Sequence, residues 1–199
     1  FTVTGGLVSD NASTFTNAAG ATLDVNSGAF TNLKTLANSG TVTVESSLAA
    51  TTINQNGPTF TIAGTGAVTA ATFAQNAGVL TVAGVLTVSG GLAVNGGDAE
   101  NNGAIVGAVT LTTLTIAGGT ATNNGSITAT NPIAVNGGSL TNNKTITGSV
   151  ANAATFVNNA GATVSGSVSN SATASNAGTI GGTLTNTGGT FTNTASGVV

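Results

Sequence analysis

The feature that most constrains the fold is a short line of sequence that recurs along the whole chain. Typical lines are TFTNAAGATL from residue 14, TFVNNAGATV from 155 and TFTNTASGVV from 190. Others start at 35, 51, 72, 99, 120, 139 and 173, so successive starts lie 16 to 21 residues apart, except for a step of 27 from 72 to 99. A unit this short cannot bury its own apolar face, so the lines must stack and share one core.

Each line alternates polar and apolar residues over a few positions and then turns through Asn and Gly. Thr, Val, Ile and Phe favour strands, whereas Asn and Gly tolerate the left-handed conformation of tight corners. No stretch has apolar residues at helical spacing. The sequence therefore predicts an all-β fold, a single-stranded parallel β-solenoid (β-helix) with about ten rungs of 16–21 residues. We expect one continuous solenoid over residues 1–199, with a longer insertion around residues 85–100.

Alternation also predicts what fills the core. It sends Phe156 and Asn158 to one face of their strand, and Thr155 and Val157 to the other. If the Phe points inward, so does the Asn, and equivalent residues of successive rungs form vertical columns. We expect apolar columns beside Asn amides that bond from rung to rung. The predicted core ladder comprises Phe15, Asn17, Phe156, Asn158, Asn176, Phe191 and Asn193.

The composition removes most side-chain chemistry. Only 4% of the residues are charged, with a net charge of −3, where an average protein has about a quarter. Cys, His, Met, Trp and Tyr are absent, so thiol nucleophiles and imidazole bases are missing. We expect no enzymatic activity and no cofactor. The chain has neither a basic footprint for nucleic acid nor an apolar run of about eighteen residues, so we expect no nucleic-acid binding and no membrane insertion.

The strongest candidates for a chemical site are Asp98 and Glu100 in the segment GGDAENNG. Two positions apart on a strand, they would share a face, and β-helix enzymes use such carboxylates as acid and base or as calcium ligands. The alternative is a solvated loop in the longer insertion. We favour the loop, because no Arg, His or Tyr is present to support a lyase or hydrolase.

A second candidate site is a series of Thr-x-Thr pairs that would project outward as a ladder. The pairs are Thr2/Thr4, Thr14/Thr16, Thr41/Thr43, Thr59/Thr61, Thr120/Thr122 and Thr190/Thr192. Regularly spaced hydroxyl and methyl groups resemble the faces of ice-binding β-solenoids. Intervening rungs interrupt the ladder with Ala37 and Val157, and Thr is also an ordinary strand-surface residue.

Neither end of the chain reads as a cap. FTVTGGLVS at the start is ordinary strand and turn, and TFTNTASGVV at the finish is the opening of another rung. An uncapped end exposes unpaired backbone groups and half-covered apolar side chains. We expect head-to-tail stacking, either on further repeats of the same chain or on another copy in a homopolymer. The predicted assembly interface comprises Phe1, Val3, Leu7, Phe191, Val198 and Val199.

The phrases LTNTGGTFTNTASGVV, SNAGTIGGTL and TFVNNAGATVSGSV resemble the passenger regions of bacterial autotransporters and related large β-solenoid adhesins. The resemblance implies export to the bacterial cell surface, a right-handed parallel β-helix and an adhesive or scaffolding role. The rung length leaves a left-handed helix open.

The leading hypothesis from the sequence is a non-enzymatic extracellular structural protein, a segment or subunit of a surface filament or adhesin. Its Thr, Ser and Asn faces would contact glycans or sister fibres. The alternatives are an ice-binding protein with a Thr-rich face and a polysaccharide-binding or polysaccharide-degrading β-helix.

Overall fold

The computed structural model describes residues 1–8, 12–101, 104–107 and 113–199 of the chain. The regular structure in these ranges is β-strand throughout, and the chain winds so that each turn lies beside the turn before it. Among the described residues, no helix has the length and apolar character that a membrane span requires. The predicted all-β parallel β-solenoid is confirmed.

Each of the first ten turns carries strand on three successive faces. The strands of turns one to five are β1 (Thr2–Val3), β2 (Leu7–Val8), β3 (Thr14–Asn17), β4 (Thr22–Val25), β5 (Ala29–Asn38), β6 (Thr41–Val44), β7 (Ser47–Gln55), β8 (Thr59–Ile62), β9 (Ala67–Gln75), β10 (Val79–Val82) and β11 (Val85–Val94). Those of the later turns are β12 (Asp98–Asn101), β13 (Ala104–Gly107), β14 (Thr113–Ile116), β15 (Thr120–Asn123), β16 (Ser126–Thr128), β17 (Ile133–Val135), β18 (Ser139–Asn142), β19 (Thr145–Thr147), β20 (Val150–Asn152), β21 (Thr155–Asn158), β22 (Thr163–Val164), β23 (Val168–Asn170), β24 (Thr173–Asn176), β25 (Thr179–Ile180), β26 (Leu184–Asn186) and β27 (Thr190–Asn193).

The first face is an eleven-stranded parallel sheet in the order β1, β4, β6, β8, β10, β12, β15, β18, β21, β24 and β27. The second and third faces form one sixteen-stranded sheet, because β5, β7, β9 and β11 run through the corner between them without a break. From the sixth turn onward two separate strands replace each of these long strands. The second face then continues through β13, β16, β19, β22 and β25, and the third through β14, β17, β20, β23 and β26.

Turn length varies along the axis. Equivalent residues are 16 apart between Asn142 and Asn158 and 23 apart between Leu7 and Phe30, so the longest turn exceeds the predicted range by two residues. Eleven stacked strands on the first face agree with the expected number of about ten rungs.

The predicted insertion around residues 85–100 is wrong. Residues 85–94 form the continuous strand β11, and β10 pairs with β12 in an unbroken register from Val79↔Asp98 to Val82↔Asn101. The step of 27 residues has a different cause. Lines from 14 to 72 form the third face, whereas those from 99 onward form the first face. The recurring text moves from the third face to the first face between residues 72 and 99. The step of 27 residues reflects this change of face and not a longer turn.

The core consists of inward columns that pass from turn to turn. On the first face one column contains Leu23, Val42, Phe60, Leu80, Ala99, Ala121, Leu140, Phe156, Ala174 and Phe191. Most of its large members are fully buried, as Phe60 and Phe156 are. The predicted alternation at 155–158 is confirmed, because Phe156 and Asn158 are buried while Thr155 and Val157 are partly exposed.

Glycine is required at corners where the backbone of the preceding turn passes underneath. Gly138 has a φ of 68°, and a Cβ atom there would collide with the carbonyl oxygen of Gly119. Gly20 has a similar φ of 77°, but a Cβ atom there would meet nothing within 4 Å. A substitution at Gly20 therefore tests backbone strain alone, whereas one at Gly138 tests strain together with close packing between turns.

We expect Gly138→Ala to lower the free energy of unfolding by about 3 kcal/mol or more, because it adds a backbone collision to the left-handed strain. Gly20→Ala is the matched control and should lose only about 1–2 kcal/mol, the cost of the left-handed conformation. Urea denaturation followed by circular dichroism measures both. Equal losses would show that the turns separate readily at Gly138.

Candidate functional site

The most ordered polar feature of the structure is a buried column of Asn side chains on the first face. Each amide donates through Nδ2 to Oδ1 of the equivalent residue one turn later, at 2.7–2.8 Å. The members are Asn101, Asn123, Asn142, Asn158, Asn176 and Asn193. All but Asn193, which lies in the last turn, are buried.

These amides also hold the corner between the first and second faces. Nδ2 of Asn101 donates to the backbone carbonyl of Ser126 at 3.0 Å, and Nδ2 of Asn123 donates to that of Thr145 at 3.0 Å. Within its own turn, Oδ1 of Asn123 accepts from the backbone N–H of Gly125. One side chain thus satisfies corner groups of two successive turns. A buried amide with several partners stabilises a single arrangement.

A second set of buried amides lies on the third face, at the corner that leads back to the first. Asn17 donates to Asn38 at 2.7 Å, Asn38 donates to Gln55, and Gln75 follows one turn later. The third-face position is then apolar for three turns, with Val94, Ile116 and Val135. Amides resume further along, where Asn152 donates to Asn170 at 2.6 Å and Asn170 lies 2.8 Å from Asn186.

The predicted core ladder is therefore two ladders. Phe15 and Asn17 lie on the third face, whereas Phe156, Asn158, Asn176, Phe191 and Asn193 lie on the first. A single column is wrong because the same Thr-apolar-x-Asn text forms both the corner after the first face and the corner after the third. Phe15 and Phe191 are only partly buried, since each belongs to a terminal turn with one neighbouring turn.

Sequence reasoning missed the third-face amides Asn152, Asn170 and Asn186. Their signal is present as VAN, VSN and LTN, an apolar residue and an Asn two positions later, repeated in three successive turns. In turns eight and nine both corners consequently carry a buried amide, whereas Asn186 in turn ten is exposed.

A further row of Asn side chains runs along the outer surface, next to the buried column. Nδ2 of Asn143 donates to Asn124 at 2.6 Å, and Nδ2 of Asn159 donates to Asn143 at 2.6 Å. The outer amides donate toward the N-terminal turns, whereas the buried first-face amides donate toward the C-terminal turns. The two rows thus have opposite directions.

Asp98 and Glu100 project outward from β12 on the first face and are exposed. Asp98 accepts a hydrogen bond from the hydroxyl of Thr120, and Glu100 accepts one from Nδ2 of Asn124 at 3.3 Å. In the described part of the chain, no group of three or more His, Cys, Asp or Glu side chains surrounds a possible metal position. Asp98 and Glu100 belong to strand β12, so the predicted loop is wrong.

The predicted Thr pairs divide between two faces. Thr41/Thr43, Thr59/Thr61, Thr120/Thr122 and Thr190/Thr192 all lie outward on the first face, in register with one another. Thr14/Thr16 lie on the third face instead. Asp98 and Glu100 occupy the same two outward columns and separate the N-terminal Thr pairs from the C-terminal ones.

The residues of the predicted assembly interface lie in the terminal turns, with one difference. Val3 is buried inside the first turn, so its side chain is not available for contact. Phe1, Leu7, Val198 and Val199 are exposed. Phe1 packs against Phe15 and Phe30 with ring centroids 5.5 and 6.2 Å apart, so three Phe rings gather at the N-terminal end.

No protein-family model, curated protein or solved structure matches this chain. The pairing of its own strands establishes the fold.

We expect Asn142→Ala to lower the free energy of unfolding by about 3 kcal/mol, because it leaves Nδ2 of Asn123 and Oδ1 of Asn158 buried without their partner. Asn159→Ala removes a similar bond in the outer row, where water replaces it, and should change stability by less than about 1 kcal/mol. Urea denaturation of both variants provides the comparison. Similar losses would mean that burial adds nothing to the amide column.

Proposed function

We propose that this chain is a non-enzymatic structural β-solenoid, a segment or subunit of an extracellular bacterial surface fibre or adhesin. In this role its end turns stack head to tail on further solenoid turns. The chain resembles adhesin passenger regions in rhythm and composition, which supports a location at the cell surface.

The observation that carries this proposal is the distribution of exposed large apolar side chains. Among the described residues there are five, and Phe1, Leu7, Val198 and Val199 lie in the terminal turns, whereas Val85 lies on a side face. Leu7 pairs with Phe30, a core residue, so Leu7 occupies an inward position that lacks a covering turn. Terminal strands with apolar side chains and free backbone groups favour pairing with further strands.

The side faces support a mechanical role. Parallel backbone ladders and amide columns connect the turns along the axis, so tension along the axis acts on many hydrogen bonds at once. Eleven levels at about 4.8 Å give a rod of roughly 50 Å per chain. The low charge leaves little repulsion between rods that lie side by side.

Leu7→Lys tests the proposed stacking, with Val85→Lys as a matched control. The two side chains are similarly exposed, at 39% and 41%, but Leu7 lies in an end turn and Val85 on a side face. We expect the unmodified chain and Val85→Lys to form long fibres in negative-stain electron microscopy, and Leu7→Lys to remain as rods about 50 Å long. Val199→Lys, at the other end, should also stop growth.

Dispersed rods of the unmodified chain at high concentration would contradict stacking between copies. Loss of fibres in Val85→Lys alone would show that the side faces associate instead.

A second candidate function, ice binding, is favoured by the outward face of turns seven to eleven. Its two columns contain Thr120/Thr122, Ser139/Thr141, Thr155/Val157, Thr173/Ser175 and Thr190/Thr192. Nine of these ten positions carry a hydroxyl, and none is charged. The spacing is about 4.8 Å between turns and roughly 7 Å between the columns. Such a regular, rigid array suits a partner that is itself periodic in two directions.

Thr141→Lys tests this candidate, with Ser169→Lys as control on the outward side of the third face. If the first face binds ice, the unmodified chain shows thermal hysteresis, Thr141→Lys loses most of it, and Ser169→Lys keeps it. Absence of hysteresis in the unmodified chain at millimolar concentration would exclude ice binding.

A further inference from the structure

The fifth turn, formed by β10 and β11, has no buried amide side chain, although its exposed Asn95 donates to Asn76 of the fourth turn at 2.8 Å. On the first face Val82 stands in register with Asn101, the first member of the amide column. On the third face Val94 stands in register with Gln75. Valine has neither donor nor acceptor, so the upstream third-face column ends before this turn and the first-face column begins after it. Upstream, amides occupy the third face, and downstream they begin on the first.

The last amide of the upstream column is itself incompletely bonded. Nε2 of Gln75 donates to the backbone carbonyls of Ala77 and Gly78. Its Oε1 atom is buried and accepts no hydrogen bond from the described residues. A buried acceptor without a donor weakens the local structure.

A cavity also lies next to this turn. The inward column of the first face changes from Leu80 to Ala99 and Ala121 before it returns to Leu140. The two small side chains leave an apolar cavity of about 20 Å³, which Leu92 and Leu114 also line. Atoms that line a void lack contact partners on one side.

In a solenoid each turn contacts only its neighbours, so stability is a sum of turn and interface contributions. We propose that the stack consists of two cooperative blocks, turns one to four and turns six to eleven, and that it opens first at the fifth turn, the junction between them. Among the described residues, no buried amide bond links this turn to either neighbour. The unbonded Gln75 oxygen lies in the adjacent fourth turn, and side chains of both β10 and β11 line the cavity. The inference goes beyond the structural role proposed above, because it describes where a single chain opens.

Hydrogen exchange measured by mass spectrometry on the full chain tests the proposal. We expect the backbone amides of β10 and β12 to exchange at least about tenfold faster than those of β8 and β21, which are also internal strands of the first face. Exchange at an equal or slower rate would overturn the proposal. The measurement concerns internal strands, so its result does not depend on whether the ends of the chain associate.

Val82→Asn tests the cause of the weakness, with Val44→Asn as matched control. An Asn at position 82 lies next to Asn101 and extends the amide column, whereas one at position 44 lies between Val25 and Ile62, which have no polar group. We expect Val82→Asn to slow exchange in β10 and β12 severalfold, and Val44→Asn to accelerate exchange in β6 and β8. Faster exchange at the junction in Val82→Asn would overturn the assignment of the weakness to the missing amide.

Discussion

Parallel, in-register pairing of successive turns is the constraint on which the rest of this structure depends. Because every strand of the first face pairs with its equivalent one turn away, each inward side chain lies between two side chains of the same column. Whether a residue fits its position therefore depends on its neighbours in the column. This holds most strictly for amides, since a buried Asn needs partners for both its nitrogen and its oxygen, from adjacent turns or from the backbone of its own corner.

The sequence predicted the features that depend on local chemistry, namely which residues of a strand point inward and where the chain turns. Alternation at Thr155–Asn158 placed Phe156 and Asn158 inward, and the frequent Asn and Gly corners indicated turns short enough for a solenoid. It did not predict which face a line belongs to. The corner after Asn17 and the corner after Asn158 use the same text, although the first closes a turn and the second lies within one. Only pairing between distant residues distinguishes them.

The mistaken insertion around residues 85–100 has the same origin. Val82 and Val94 replace the amides of the recurring line, so the sequence shows no recognisable line there. Strands β10, β11 and β12 nevertheless pair in register with the strands of neighbouring turns. Backbone pairing does not require a particular side chain at that position. An apolar residue fits this position as long as an adjacent residue of the column is also apolar. Val82, for example, stands in register with Ile62 of the preceding turn.

The opposite directions of the two Asn rows have a consequence for length. Buried first-face amides point their donors one way along the axis and the outer amides point theirs the other way, so the two series of side-chain dipoles partly cancel. An α-helix accumulates a macrodipole from aligned peptide units, and a stack with one amide row would align its side-chain dipoles in the same manner. With paired rows, each added turn contributes less to the electric field at the ends than a turn with a single amide row does. Where an outer row is present, a longer rod therefore accumulates less charge separation along its axis.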